Sequence, residues 1–156
     1  MSHLFTTHSA GLVYLFREYS GRMQVLLQLR GGNKYGVGEW DASAAGHVDD
    51  GESMMTCAIR EAREEIGIDI KPADIVFTTI IHKGRGGQPP PDGRPYYNGH
   101  FFVEKFRGEP KNCEINKITG LKWFYIDELP ENMFADRGDA IQNFINKRNY
   151  SEVGWD

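Results

Sequence analysis

Residues 53–66 restrict the fold more than any other stretch, because their apolar side chains recur at helical spacing while the neighbouring segments have strand character. On a helix these side chains share one arc of about 100°. They are Met55, Ala58, Ile59, Ala62 and Ile66. Ser53 is a typical N-cap residue, and Gly67 followed by Ile68 is typical of a helix that ends in a left-handed turn. We therefore predict a helix over residues 53–66 that packs its apolar stripe against a second layer.

The segments on both sides of this helix predict a sheet. Residues 10–30 have the pattern of two strands joined by a tight turn at Ser20 and Gly21. Further strands are predicted at residues 40–45, 75–82, 96–106 and 121–126, and loops rich in glycine or proline at 31–38 and 83–95. An apolar stripe predicts a closing helix, at Ala140, Ile141, Phe144 and Ile145. The expected fold class is α/β, an α/β/α sandwich with a mixed sheet between helices, formed as a single domain over residues 1–156.

The charge and composition of the chain limit the kinds of partner that it is expected to bind. The net charge of −4 argues against a protein that grips nucleic acid, because such binding depends on lysine and arginine displacing counterions. The first ten residues lack a basic stretch followed by an apolar run, and later apolar runs are strand-length, so we expect a cytoplasmic protein with no membrane partner. Cys57 and Cys113 match no zinc motif and are interpreted as reduced thiols.

Three carboxylates crowd one edge of the predicted helix. Glu61, Glu64 and Glu65 fall within one arc beside the apolar stripe, although like charges at this spacing each cost about 0.2–0.5 kcal/mol. One interpretation is a solvated acidic face compensated by arginines, but Arg63 lies on the other flank and Arg60 is expected to neutralise at most one glutamate. The alternative is a site for a divalent cation, Mg²⁺ or Mn²⁺, which prefers clustered oxygen ligands and shares substrate phosphates.

The sequence around this helix resembles a known motif. The stretch GHVDDGESMMTCAIREAREEIGI has every fixed position of the Nudix box: Gly46, Glu52, Arg60, Glu61, Glu64, Glu65 and Gly67, with apolar residues at Ala62 and Ile68. So many coincident positions are a specific signal, unlike a lone glycine motif. The chain is therefore identified as a member of the Nudix hydrolase superfamily. That resemblance implies metal-dependent hydrolysis of a pyrophosphate bond in a nucleoside diphosphate linked to a further group X.

The resemblance also implies roles for individual residues. The implied metal ligands are side chains of four glutamates and one backbone carbonyl, namely Glu61, Glu64, Glu65, Glu114 and Ala45. The general base is implied among Glu61, Glu64 and Glu114, and the choice stays open because relatives differ. Implied structural positions of the box are Gly46, Glu52, Arg60 and Gly67, where Glu52 and Arg60 brace loop against helix. Substrate contacts are expected from Arg30, to a phosphate, and from Phe134, to a base. For Arg30 a charge at the edge of the sheet is equally consistent with the sequence, and aromatic residues such as Phe134 more often belong to the core.

Two segments outside the helix point to different branches of the family. The stretch FFVEKFRGEPKNCE is similar to the nucleoside triphosphatase branch. This similarity favours a nucleoside triphosphate, either unmodified or oxidised, as the substrate, with a nucleoside monophosphate and pyrophosphate as products. The stretch Ala44-Ala45-Gly46-His47 instead resembles the isopentenyl diphosphate isomerase branch, but no cysteine precedes Cys57. An isomerase and a non-catalytic nucleotide-sensing module are therefore the alternatives. A small-molecule nucleotide is the expected partner, and the oligomeric state stays open between monomer and homodimer.

Overall fold

A computed structural model of the chain describes residues 4–32, 35–86 and 92–155. The strands, in chain order, are β1 His8–Tyr19, β2 Arg22–Arg30, β3 Trp40–Asp41, β4 Ala44–His47, β5 Val76–Lys83, β6 Tyr96–Val103, β7 Ile118–Tyr125 and β8 Tyr150–Val153. The helices are α1 Met54–Ile66 and α2 Arg137–Asn146, and a short 3₁₀ turn spans Pro72–Asp74.

The long strand β1 organises the sheet, whose order is β3-β2-β1-β6-β5-β8. The β1–β2 hairpin turns at Ser20 and Gly21, both with positive φ (52° and 75°), as the sequence predicted. Residues 10–13 of β1 pair antiparallel with β4, on the same edge of β1 as β2, and β6 pairs in parallel with the other edge. Strand β7 pairs with β2. The result is a mixed sheet that includes both parallel and antiparallel pairs.

Side chains of β1 alternate between two cores. Val13 and Leu15 pack in the cluster that contains the buried alanines of α1, whereas Leu12 and Tyr14 pack in the cluster that contains Ile141 of α2. Successive strand residues point to opposite faces, so one apolar strand supplies both layers. The predicted α/β/α sandwich is confirmed.

Both ends of α1 follow the sequence prediction. The Ser53 side chain accepts a hydrogen bond from the Thr56 backbone N–H, and Gly67 adopts the left-handed conformation with φ 69°. Helix α1 lies so close to β1 that a Cβ added at Gly11 would be 2.4 Å from the Met54 carbonyl oxygen. This contact sets the height of the helix above the sheet.

The structure differs from the sequence prediction at several boundaries. The single strand predicted at residues 40–45 is interrupted, because the Ser43 hydroxyl accepts from Leu15 N and donates to the Leu26 carbonyl. Strand β6 ends at Val103 rather than 106, and β8 was not predicted at all. Of the predicted loops, residues 33–34 and 87–91 lie outside the described residues. In the described part of the chain, no helix is long and apolar enough to cross a bilayer.

Candidate active site

A cavity of about 460 Å³ gathers the predicted glutamates. Glu61, Glu64 and Glu65 reach it from α1, and Glu114 reaches it from the loop that precedes β7. Ala45 and Gly46 of β4 line the same wall. The structure therefore brings together residues that the sequence separates by nearly 70 positions.

Glu61 lies directly against the backbone of β4. A Cβ added at Gly46 would be 2.2 Å from Glu61 Oε1, so only glycine leaves room for the carboxylate. Burial raises the pKa of Glu61, and the nearby carboxylates of Glu64 and Glu114 raise it further, while Arg60 opposes the shift. Negative charge on Glu61 is therefore disfavoured by its surroundings, and a nearby cation would relieve that cost.

Arg60 binds more carboxylates than the sequence predicted. Its guanidinium donates to both oxygens of Glu52, at 2.7 and 2.9 Å, and its Nη1 also donates to Glu61 Oε1 at 2.7 Å and Glu64 Oε2 at 3.2 Å. Its fork of five donors lets Arg60 bond two of the helix glutamates, although its single positive charge neutralises at most one carboxylate. Hydrogen bonds from Arg60 and the Asp49 N–H lower the pKa of Glu52 to about 2. In the structure this pair joins the loop before α1 to the helix.

Glu65 is buried, with 4% of its surface exposed. Its Oε1 accepts hydrogen bonds from the Ala45 N–H at 2.8 Å and from Gln28 Nε2 at 3.2 Å. One carboxylate thus joins α1 to both β4 and β2. The sequence placed Glu65 beside the apolar stripe, and the structure places it within the buried face of the helix.

Glu114 is held by a turn of its own loop. Its carbonyl accepts from the N–H groups of Lys117 and Ile118, both at 2.9 Å, and its own N–H donates to the Asn112 side chain at 3.0 Å. Lys117 Nζ lies 3.9 Å from the Glu114 carboxylate. These contacts direct the side chain toward the cavity that the α1 glutamates line.

Arg30 and Phe134 both line the cavity and contact each other. The Arg30 guanidinium lies 3.9 Å from the centroid of the Phe134 ring, donates from Nε to the Tyr35 carbonyl and pairs with Asp41. Both residues thus have structural contacts within the cavity wall. Their predicted contacts with phosphate and base stay predictions.

A buried ionic network beside the cavity was missed by the sequence analysis. Asp41 bridges Arg30 and Arg137, and Asp136 joins Arg137 to His100. Burial disfavours the charged form of both carboxylates. Arg137 and Arg30 nevertheless lower the pKa of Asp41 below its usual value, and His100, followed by Arg137, does the same for Asp136. Isolated charged residues at strand ends look like surface residues in a sequence, so no local pattern could have revealed this network.

The donor chemistry of the cavity fits a hard divalent cation. Four glutamates supply carboxylate oxygens, the ligands that Mg²⁺ and Mn²⁺ prefer, in a setting that raises the pKa of one of them. Among the described residues, however, no three His, Cys, Asp or Glu side chains form a ready-made metal site. Instead Arg60 Nη1 bridges Glu61 and Glu64.

An α/β/α sandwich with a row of helix glutamates against a glycine of the adjacent strand defines the Nudix class of fold. The NUDIX domain family model matches residues 6–144, and the chain belongs to this family. Proteins of this family act on small nucleotide substrates and generally use divalent metals such as Mg²⁺.

Sequence relatives cover part of the chain. An NAD-capped RNA hydrolase, NudC, of Stutzerimonas stutzeri is 33% identical over 93 residues, which are 57% of this chain and 28% of that protein. An uncharacterised Nudix hydrolase of Clostridium acetobutylicum is 32% identical over 94 residues, 58% of this chain and 43% of the relative. The matches thus span less than half the length of these relatives.

Solved structures share the fold over most of the chain. A MutT NUDIX hydrolase from Burkholderia pseudomallei has a TM-score of 0.71 at 22% identity and covers 88% of this chain and 98% of its own. The NUDIX domain of Shewanella oneidensis NrtR, complexed with ADP ribose, has a TM-score of 0.69 at 15% identity, with 92% and 89% covered. At such identities the likeness establishes the fold alone.

Proposed function

We propose that this protein hydrolyses a pyrophosphate bond in a nucleoside diphosphate linked to a further group X, with Mg²⁺ or Mn²⁺ as cofactor. The observation that carries the proposal is the convergence of Glu61, Glu64, Glu65 and Glu114 on one cavity. Carboxylates from two distant segments repel each other in such a place, so a scaffold gains nothing from gathering them there. A substrate phosphate and its cation would use them.

The metal would be held by the carboxylates of Glu61, Glu64, Glu65 and Glu114 and by the Ala45 carbonyl. When bound, it supplies Lewis acidity that activates water and neutralises phosphate charge. Because Arg60 bridges Glu61 and Glu64, these glutamates must exchange a guanidinium for the cation, while Arg60 keeps its two bonds to Glu52.

The chain's own groups can accept the proton of the attacking water. Glu61, Glu64 and Glu114 are the candidates, since each carries a carboxylate that lines the cavity. The raised pKa of Glu61 belongs to the metal-free site, and a bound cation would lower it, so this shift does not choose among the three. Glu65 is suited to hold the geometry, since its Oε1 ties α1 to β4.

The proposed substrate is a nucleoside triphosphate, either unmodified or oxidised, and the products are a nucleoside monophosphate and pyrophosphate. The similarity of the segment that contains Glu114 to the triphosphatase branch supports this choice. A dinucleotide such as NAD is the second candidate, supported by the 33% identity to an NAD-capped RNA hydrolase. The cytoplasmic location also stays a proposal.

Cysteine chemistry has little support. The Cys57 thiol is buried, donates to the carbonyls of Gly46 and His47, and has a pKa raised to about 11, chiefly by burial. Among the described residues that line the cavity there is no cysteine. An isomerase mechanism that needs a reactive thiol in this site is therefore disfavoured.

The decisive experiment is a screen of nucleoside triphosphates, NAD and other diphosphate derivatives with Mg²⁺. Cleavage is read out as released phosphate or pyrophosphate for the triphosphates, and as nucleoside monophosphates separated by chromatography for NAD and the other dinucleotides. We expect at least one substrate to be cleaved and Glu61→Gln and Glu64→Gln to lower the rate by about 100-fold or more. Glu18→Gln, an exposed glutamate on β1, is the matched control and should keep the wild-type rate. Binding without cleavage of any substrate would instead support a sensing module.

A further inference from the structure

The cavity has an acidic side, where the glutamates of α1 lie against β4, and a basic side at the end of β5. Glu61 contacts Gly46 on β4, whereas Lys83 ends β5, and the strand order across this region is β4-β1-β6-β5. Three strand spacings separate β4 from β5, which is about 14 Å. A group bound near Lys83 is therefore well separated from a pyrophosphate held at the glutamates.

Lys83 is a buried cation in the wall of the cavity. Only 8% of its surface is exposed, and its ammonium lies 3.4 Å from the Gly84 carbonyl. Burial lowers the pKa of Lys83; Asp136 opposes that shift and Arg137 adds to it. Lysine is seldom buried, and a fold that needed only volume here could use an uncharged side chain.

The neighbouring charges of this wall are already fixed by one another. Asp41 accepts from Arg137 Nε at 2.7 Å and also pairs with Arg30, while Asp136 accepts from Arg137 Nη1 at 2.8 Å. These pairs hold two arginines and two carboxylates in place beside the part of the cavity that Lys83 also lines.

Arginine and lysine side chains are also donors without acceptors. A ligand atom that reaches Lys83 must therefore accept a hydrogen bond. An amino group placed there would oppose a donor with another donor.

We propose that Lys83 determines substrate specificity by donating a hydrogen bond to an acceptor oxygen at the end of the substrate remote from the pyrophosphate. The inference rests on the proposed function, because it concerns the same cavity. Two sources carry such an oxygen: the oxo group of a nucleobase, as in hypoxanthine or uracil, and an additional phosphate on the nucleoside. Amino bases such as adenine and cytosine lack the oxo group at the corresponding position.

The test compares substrate pairs that differ at this position. ITP against ATP and UTP against CTP exchange an oxo for an amino group, and NADPH against NADH adds one phosphate. We expect the wild-type protein to prefer the oxo or phosphorylated member by about 10- to 100-fold in kcat/KM, the effect of one hydrogen bond to a charged donor. Lys83→Met should reduce that preference to within about threefold. The pair that shows the loss identifies the source of the oxygen.

The control variant is Lys122→Met, which makes the same change at an exposed position of β7 outside the lining of the cavity. It should keep the wild-type preference. Lys83→Gln, which keeps a donor without the charge, should retain part of an oxo preference. Thermal unfolding of all three variants reports whether the wall still folds.

Binding separates failure of this inference from failure of the proposed function. Titration with nonhydrolysable α,β-methylene analogues of ITP, ATP, UTP and CTP, and with NADPH and NADH in the presence of EDTA so that no metal supports cleavage, measures the preference without turnover. A preference that Lys83→Met removes supports the inference even if nothing is cleaved. If the folded Lys83→Met protein keeps the wild-type preference, or if it loses affinity equally for both members of every pair, the inference is overturned.

Discussion

Replacing Gly46 by alanine tests whether the position of Glu61 matters for activity independently of stability. The new Cβ would lie 2.2 Å from Glu61 Oε1 and 2.3 Å from its Cδ. Ordinary contact begins near 3.4 Å, so the carboxylate must move by about 1.2 Å. The nearest atoms belong to the end of a flexible side chain, and Gly46 does not adopt a positive φ, so the backbone of β4 can stay in place.

The expected effects of Gly46→Ala on stability and on activity differ in size. A displaced side-chain torsion costs about 0.5–1.5 kcal/mol, and the Gly→Ala change restricts the unfolded chain by a comparable 0.4–1 kcal/mol, so the free energy of unfolding should change by less than about 1 kcal/mol. A catalytic group misplaced by about 1 Å, in contrast, lowers the rate by about 100-fold. We expect Gly46→Ala to be folded, close to wild type in stability and nearly inactive.

Urea unfolding of the metal-free protein and kcat/KM with Mg²⁺ measure the two quantities. Gly120→Ala is the matched control, since its Cβ on β7 would meet Leu29 at an ordinary 3.6 Å. In a Glu61→Ala background, Gly46→Ala should have no further effect on rate, because its target is gone. Wild-type activity of Gly46→Ala, or a further loss in the double variant, would refute the reasoning.

Three further outcomes are expected. Because the pKa of Glu52 is lowered from 4.5 to about 2, its contribution to stability is complete above pH 4.5 and is lost as the pH falls toward 2; Glu52→Gln should flatten this part of the stability profile, as measured by urea unfolding at each pH. Asp41→Asn should lower the free energy of unfolding by about 3 kcal/mol in urea, since it leaves the buried Arg137 and the partly buried Arg30 without their shared carboxylate. Mg²⁺ at ten times its Kd stabilises the folded state by about 1.4 kcal/mol and should therefore raise Tm by about 3–6 °C, and Glu64→Gln should reduce that shift in a thermal melt with EDTA as the reference.

Much of the site could be predicted because its information is local. The helix periodicity, the N-cap at Ser53 and the C-terminal glycine at Gly67 depend on residues a few positions apart, and all three are confirmed. The crowding of glutamates on one helical edge follows from the same geometry. Strand boundaries were predicted less well, since the break between β3 and β4 depends on hydrogen bonds from Ser43 to two other strands.

The contacts of Arg60 show why charge pairing is harder to predict than helix geometry. The family resemblance implied the pair of Arg60 with Glu52, but helical spacing alone fixes only where the guanidinium starts, and its reach to Glu52 depends on how the preceding loop folds back. The burial of Glu65 likewise depends on β4 and β2, which supply the partners of its carboxylate. Neither feature has a pattern within the helix itself.

The sequence by itself determined the family, the α/β/α class and the glutamate-rich helix, because short-range spacing and a nearly complete motif encode them. Only the tertiary structure decided that Lys83 and Arg137 line the same cavity as the glutamates. Strand pairing brings residues from distant parts of the chain together, and no local pattern records which strands will be neighbours.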